Sequence, residues 1–340
     1  MPSTANPAAP ERQYPLRMPS GWVAPVPAWK STFADSVSSV SMCVIGFQHT
    51  PEIRVMGYLR ELSAVLVNAA VCDFASSDAG QGMQETVCIA YWLDATKAQA
   101  DLSCSVFKTM WSKHMAAEFG YGVFCESINV PFDRSETLFS GPVHAHGMSQ
   151  SRLGVEGPIP HHQYWGGMRD RIPLAARDSL SQSDSLRIVE QSDTRVLVTA
   201  HENLCIIRSG QDWSQCDVQQ LGEYRDTIEP ILKAGMSFLR DHGEQVNCYS
   251  CRYMRDLNSD GTDVPRSFGL ACFRTMKDLE DWAEHHPTHL AIFNTFLGIA
   301  QQHGPDLQLR LWHEVSVLPA DGQWAEYVNC RPGTGWLGGI

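Results

Sequence analysis

The sequence has no apolar stretch approaching the roughly 18 residues that a membrane span requires, and too few cations to be read as a binder of nucleic acid or anionic lipid. Lysine and arginine number 26 against 38 aspartates and glutamates, a formal charge of −12, whereas both of those partners demand clustered positive charge. The common nucleotide and hydrolase motifs are missing as well: there is no Walker A loop, no G-x-S-x-G and no H-E-x-x-H. One G-x-G-x-x-G occurs, "GTGWLG" at 333–338, but only two residues follow it, so no helix can open there to receive a pyrophosphate. Cysteine is plentiful, at eleven residues, yet the patterns that give it chemistry are scarce. The single C-x-x-C, Cys248 to Cys251, lacks the second pair that would complete a zinc site. It also lies in an apolar, strand-like segment rather than at a helix start. The cysteines are therefore expected to be reduced and mostly small core residues. The N-terminus lacks the charged-then-apolar layout of a secretory signal, so a cytoplasmic protein is expected.

What is present is a chain of 340 residues, 43% hydrophobic, which is ample for a large core. Residues 1–40 read as a proline-rich arm, with seven of the 19 prolines in the first 29 positions. Such a segment is extended, and Trp22 and Trp29 favour its docking over the body or a second subunit.

Beyond the arm the chain repeats itself. "CESINVPFD" (125–133) aligns without gaps on "HEVSVLPAD" (313–321), matching Glu126 to Glu314 and Pro131 to Pro319. "IAYWLDATKAQADL" (89–102) resembles "LACFRTMKDLEDWA" (270–283), with Asp94 and Thr275 at the positions of helix N-caps. "CVIGFQHTPE" (43–52) and "LCIIRSGQDW" (204–213) each precede a helical stretch. Each half thus reads strand, helix, strand, strand, helix, strand. The expected fold is α+β: two tandem ferredoxin-like (βαββαβ) units, residues 41–140 and 196–340, enclosing a pocket between sheet and helices. Pro230 departs from the pattern and is expected to kink the first helix of the second unit. Residues 141–195 form a connecting segment rich in Gly, Pro and Ser, too long for an idle loop.

Histidines carry the candidate chemistry. "HAH" (144–146) can bring two imidazoles to one face of a strand, as in some non-haem metal sites. No carboxylate follows at short spacing, and solvated loop histidines are the expected reading. In "HHPTHL" (285–290), Pro287 should end one helix near Glu284 and start the next, so His285 and His289 are not a simple i, i+4 metal pair. His289 then heads an apolar face carrying Ile292, Phe293, Phe296 and Ala300. That setting suits a hydrogen-bonded core histidine or the axial ligand of a haem iron. His313 falls in a strand on the same face as Leu311 and Val315, and a buried imidazole there needs partners or a function.

Taken together, "YWGGMRDRIP" (164–173), "IIRSGQDW" (206–213), "HPTHLAIF" (286–293), "LRLWHEVSV" (309–317) and "EYVNCRPGTG" (326–335) resemble the haem-containing aldoxime dehydratases. The resemblance runs from about Ser41 to the C-terminus and is most specific in the second half. It implies haem b, held between sheet and helices with His289 as proximal ligand. It implies Ser209 as a hydrogen-bond partner of the substrate hydroxyl, Arg171 of the connecting segment as the catalytic arginine of the distal pocket, and His313 as the acid–base group. Glu136, in "SETLF", would hold His313. The implied reaction turns an aldoxime into a nitrile and water, with the oxime nitrogen on ferrous iron, on a doubled ferredoxin-like, α+β-barrel-like scaffold that forms a homodimer. The likeness to aliphatic-acting members implies alkyl aldoximes. Two other readings stay open on sequence: a haem-binding sensor or carrier, which needs His289 but not Arg171 with His313, and a non-haem metal lyase at His144 and His146.

Overall fold

The computed structural model describes residues 12–115, 120–181 and 184–340, so the first eleven residues of the proline-rich arm lie outside the described part. The first half comprises β1 (Lys30–Thr32), β2 (Ser39–His49), α1 (Met56–Ala64), β3 (Val71–Gly80), β4 (Met83–Trp92), α2 (Ala95–Ser103), α3 (Ser105–His114), β5 (Gly122–Pro131) and β6 (Ser135–Phe139). The connecting segment adds β7 (Gly154–Glu156), α4 (Gly167–Arg171) and β8 (Arg187–Gln191). The remainder contains β9 (Arg195–Thr199), β10 (Cys205–Asp212), α5 (Val218–Glu223), α6 (Glu229–His242), β11 (Cys248–Leu257), β12 (Asp263–Phe273), α7 (Met276–His285), α8 (Pro287–His303), β13 (Arg310–Val317) and β14 (Trp324–Val328).

Twelve of the strands form one antiparallel sheet in the order β6-β13-β10-β12-β11-β3-β4-β2-β5-β14-β9-β8, and β1 pairs separately with β7. Within it, β5-β2-β4-β3 and β13-β10-β12-β11 share one order, and the two sets join where β11 pairs with β3. The helix boundaries follow local chemistry. Asp94 caps α2 through the Thr96 amide, and Thr275 caps α7 through the Asp278 amide. Pro287 opens α8 directly after α7 ends at His285. At Pro230 the expected kink takes the form of a π-helical turn, Tyr224–Ile228, between α5 and α6. The helix runs on unbroken from α5 through this turn into α6, and the wider π turn accommodates the N–H that Pro230 lacks.

The strands alternate between two faces. Val40, Met42, Val44, Val87, Ile89, Ile206, Phe268, Leu270 and Trp312 form one core common to both halves. On the opposite face, Cys43, Ile45, Phe47, Cys88 and Trp92 pack under Leu59, Leu62 and Trp111 of α1 and α3. In the second half that face carries Cys205, Ala271, Phe273, Val315 and Val317 against Leu239, Met276 and Leu279. Cys248 and Cys251 are buried in the same cluster as free thiols, as expected of core cysteines.

The common core exists because the sheet curls back on itself. Tyr91 on β4 hydrogen-bonds Glu314 on β13, and Arg208 on β10 reaches both Tyr91 (3.1 Å) and Asp73 on β3 (2.9 Å). These strands are far apart along the sheet. A second network mirrors the first: Arg252 on β11 binds Glu126 on β5 through both oxygens (2.7 and 2.8 Å) and Glu85 on β4 (2.6 Å), while Tyr327 donates to Glu126 (2.9 Å). The aligned pair Glu126 and Glu314 are thus the acceptors of the two buried networks that tie the halves together.

Removing one partner from a buried ion cluster leaves uncompensated charge, typically at a cost of about 3–5 kcal/mol. Arg252→Met should therefore destabilise the protein by about that amount in urea unfolding at neutral pH. A loss below about 1 kcal/mol would show that the networks are incidental to the curl.

Candidate active site

The outer face of the second half is where side chains become small. Ser209 on β10 stands opposite Gly269 on β12 and opposite His313 on β13. A Cβ on Gly269 would lie 2.7 Å from the Met236 sulfur of α6, so glycine leaves room for that thioether over the sheet. The first half fills the same side with Phe47, Trp92 and Trp111. The result is a cavity of about 1280 Å³ between the outer face of the second half and α6 and α8.

One wall is apolar and carries a single imidazole. Ile228, Leu232, Met236, Ile292, Phe293 and Phe296 line it together with His289. His289 Nδ1 lies 2.7 Å from the Ala283 carbonyl at the end of α7. Only the N–H tautomer makes that bond, so the lone pair is left on Nε2, the arrangement of a metal-ligating histidine. Burial pushes the pKa of His289 down, more than the Ala283 carbonyl raises it, so the ring is neutral and able to ligate. Trp282 and Trp165 stand edge-on to it at 4.7 and 6.2 Å. A large apolar cavity with one pinned, neutral imidazole in its wall fits a haem with His289 on its iron.

The facing wall is polar. β6, β13 and β10 lie side by side, with Glu136 opposite Val315 and Ser209 opposite His313. Period-two alternation therefore puts Glu136, His313 and Ser209 on one face. Arg171, the last residue of α4, closes the cluster. Its Nε and one terminal nitrogen donate to Glu136 at 2.7 and 3.2 Å, and its other terminal nitrogen donates to the His161 carbonyl at 2.6 Å. His313 Nε2 lies 2.8 Å from Arg171 and 2.9 Å from Glu136. These two contacts suit two protonation states. With the lone pair on Nε2 the imidazole accepts from Arg171, and with a proton there it donates to Glu136. Burial pushes the Glu136 carboxyl up, but Arg171 and His313 outweigh it and hold the pKa near about 2. Glu136 is thus an anion at any working pH. The stability this contributes is present above the ordinary carboxylate range and is lost as pH falls through about 2. The Ser209 hydroxyl has no side-chain partner among the described residues and lines the cavity with Arg171 and His313.

All five residues singled out in the sequence thus gather around one cavity, Ser209, Arg171, His313 and Glu136 on one side and His289 on the other. Sequence reasoning missed His162. It is 1% exposed, lines the cavity and leaves Nε2 without a partner among the described residues. Burial, with the Arg171 charge nearby, pushes its pKa down to about 4. Its neighbour in "HHQYW", His161, serves through its backbone carbonyl. The arm was expected to dock but not to line a site. The Arg17 and Met18 amides bind the Asp170 carboxylate, Trp22 Nε1 donates to the His162 carbonyl at 3.1 Å, and Pro19, Trp22 and Trp29 line the cavity. "HAH" corrects an expectation: His146 is not a solvated loop residue but is 6% exposed and stacked on Trp312 at 5.2 Å.

The sequence pattern of the haem-containing dehydratase family matches residues 43–336. An aliphatic aldoxime dehydratase of Rhodococcus globerulus is 34% identical over 94% of this chain and 93% of its own length. A phenylacetaldoxime dehydratase of a Bacillus strain is 32% identical over 91% of this chain and 90% of its own. The crystal structure of an aldoxime dehydratase in complex with butyraldoxime superposes with a TM-score of 0.91 at 33% identity, covering 96% of this chain and 93% of that one.

His289→Ala should abolish haem binding while the sheet persists. Haem-to-protein ratio and the Soret band, measured beside far-ultraviolet circular dichroism, check this. A full haem complement with an unchanged spectrum would place the axial ligand elsewhere.

Proposed function

The chain belongs to the haem-containing dehydratase family, and from that premise we propose that it is a haem-dependent lyase converting aldoximes to nitriles, R–CH=N–OH → R–C≡N + H2O. The observation that carries this reading is the His313–Arg171–Glu136 cluster with Ser209, facing His289 across one cavity. Haem, held through His289, would supply a redox-capable iron as the Lewis acid for the oxime and as a source of electron density for N–O cleavage.

The residues of the chain handle protons and position. Hydroxide is a poor leaving group, so the oxime oxygen must leave as water, which calls for an acid. An imidazole, with an ordinary pKa of about 6.5, both gives and takes a proton near neutrality. His313 donates its proton to the departing oxygen as the N–O bond breaks, then accepts the proton of the aldehydic C–H as the triple bond forms. Proton count and charge both close over the cycle. Ser209 and Arg171 hydrogen-bond the oxime hydroxyl and polarise it. Glu136 keeps the His313 ring oriented and offsets the charge of Arg171. The neutral His289 would hold the haem, and the apolar wall of α6 and α8 would keep water from the site.

The substrate class we propose is alkyl aldoximes, in keeping with the apolar lining and with the aliphatic aldoxime dehydratases among the relatives. The shared strand order of the two halves supports reading residues 41–140 and 196–340 as tandem ferredoxin-like units, with 141–195 as a connecting segment that brings in Arg171. The eleven free cysteines support a reducing, cytoplasmic setting, and a homodimer is the assembly proposed. Among the described residues, no helix is long and apolar enough to cross a membrane.

His313→Ala should retain haem and still show the spectral change of aldoxime binding, but turn over about 10²–10⁴-fold more slowly, the usual cost of losing one positioned proton-transfer group. The acid must carry its proton to expel water, so wild-type kcat should fall as pH rises through the pKa of the complex. That limb should be missing in the variant. Normal turnover by His313→Ala, or an intact limb, would assign the proton to another group.

A further inference from the structure

Outside the cavity cluster, one group of side chains has ligand chemistry that the dehydration leaves unused. His144 and His146 come from the segment after β6, and Asp212 is the last residue of β10. One donor atom from each lies within 4.8 Å of the others. His146 Nε2 is 3.4 Å and His144 Nδ1 3.9 Å from the same oxygen, Asp212 Oδ2. With zinc–ligand bonds of about 2.0–2.2 Å, donors of a tetrahedral site stand about 3.3–3.5 Å apart. The His146–Asp212 spacing already matches. His144, with its side chain 30% exposed, stands a few tenths of an ångström further from Asp212 and within 4.8 Å of the His146 donor, and is free to rotate towards both.

Two further observations point to a ligand. His146 is 6% exposed, yet its Nε2 makes no hydrogen bond among the described residues. A buried ring nitrogen in that state is either costly or reserved. The other Asp212 oxygen is spoken for, accepting from the Ser214 amide at 2.9 Å, which fixes the carboxylate with Oδ2 turned towards the imidazoles. We propose that His144, His146 and Asp212 bind one divalent transition-metal ion, with zinc the best fit, and that the ion staples the segment following β6 to the end of β10.

The surroundings select the class of ion. Across the ladder Asp212 faces Arg266 and Arg310, and a hard cation held by charge alone, such as calcium or magnesium, is disfavoured beside them. Arg266 is engaged with Asp256 at 2.9 Å and Arg310 with the Leu307 carbonyl at 2.7 Å, which leaves Asp212 to the imidazoles. Two imidazoles and one carboxylate suit a borderline ion bound through nitrogen. Burial, with the Arg266 charge, also holds the pKa of His146 down at about 4, so binding need displace no proton there near neutrality. The alternative is a plain His–Asp contact with no ion, and it predicts no metal dependence.

The test is zinc chloride titrated calorimetrically into chelator-stripped holoprotein, with thermal unfolding followed in parallel. The wild type should take up one tight equivalent and melt higher with zinc than without. His146→Ala and Asp212→Asn should weaken that equivalent at least 100-fold, and the zinc-dependent rise in Tm should vanish. His144→Gln, at a partly exposed position on the cavity lining whose loss leaves the core filled, should weaken it at least 10-fold. Zinc held only by cysteines would be lost by none of the three variants. That outcome, or the absence of a saturable equivalent in the wild type, overturns the proposal.

Discussion

A carboxylate buried to 6% exposure with an arginine and a histidine on its two oxygens is the constraint around which the site is arranged. Glu136 is too buried to stay charged alone and too well paired to be neutral. It therefore dictates where Arg171 and His313 must stand. Because Arg171 ends α4, the same contact draws the connecting segment against the sheet. The preceding residue, Asp170, takes the Arg17 and Met18 amides, and so the arm is seated by the next link of the chain. One ion cluster thereby sets the geometry of the polar wall, the position of α4 and the closure of the cavity by Trp22 and Trp29.

The two halves share a strand order but not a use. The first packs its outer face solid with Phe47, Trp92 and Trp111 and serves as a scaffold. The second keeps Ser209 and Gly269 on that face and is hollow. What makes the hollow half stable is the face behind it. There the Tyr91–Glu314–Arg208 and Tyr327–Glu126–Arg252 networks hold the curled sheet shut. His313 and Glu314 are consecutive on β13, so one strand presents its catalytic candidate outward and its structural anchor inward. A change of register by one residue would exchange them.

Local features were legible in the sequence because local chemistry decides them. The caps at Asp94 and Thr275, the start of α8 at Pro287 and the alternation around His313 all follow from residues within one turn or one strand. The Pro230 irregularity was legible as a break but not as a π turn, which depends on how α5 and α6 pack on the sheet. Non-local pairings were not legible. Nothing in β14 announces that it pairs with β5, and nothing in β11 that it pairs with β3. Glu136 was drawn from a five-residue match. Its weight comes from β6 lying beside β13, a neighbour far away in sequence. His162 was hidden because a histidine in a loop reads as solvated until the arm covers it. Asp212 was hidden for the same reason that no carboxylate near "HAH" could be found: it arrives from another strand.

The account rests on Glu136 acting through the two side chains it holds, His313 and Arg171, rather than on its own. A mutant cycle tests that most directly, comparing kcat of haem-loaded Glu136→Gln, the His313→Ala/Arg171→Ala pair and the triple variant. If the carboxylate works only by placing the imidazole and the guanidinium, the triple variant is no slower than the pair and the losses are far from additive. If the losses instead multiply, Glu136 contributes to turnover independently of both, and the central claim is wrong.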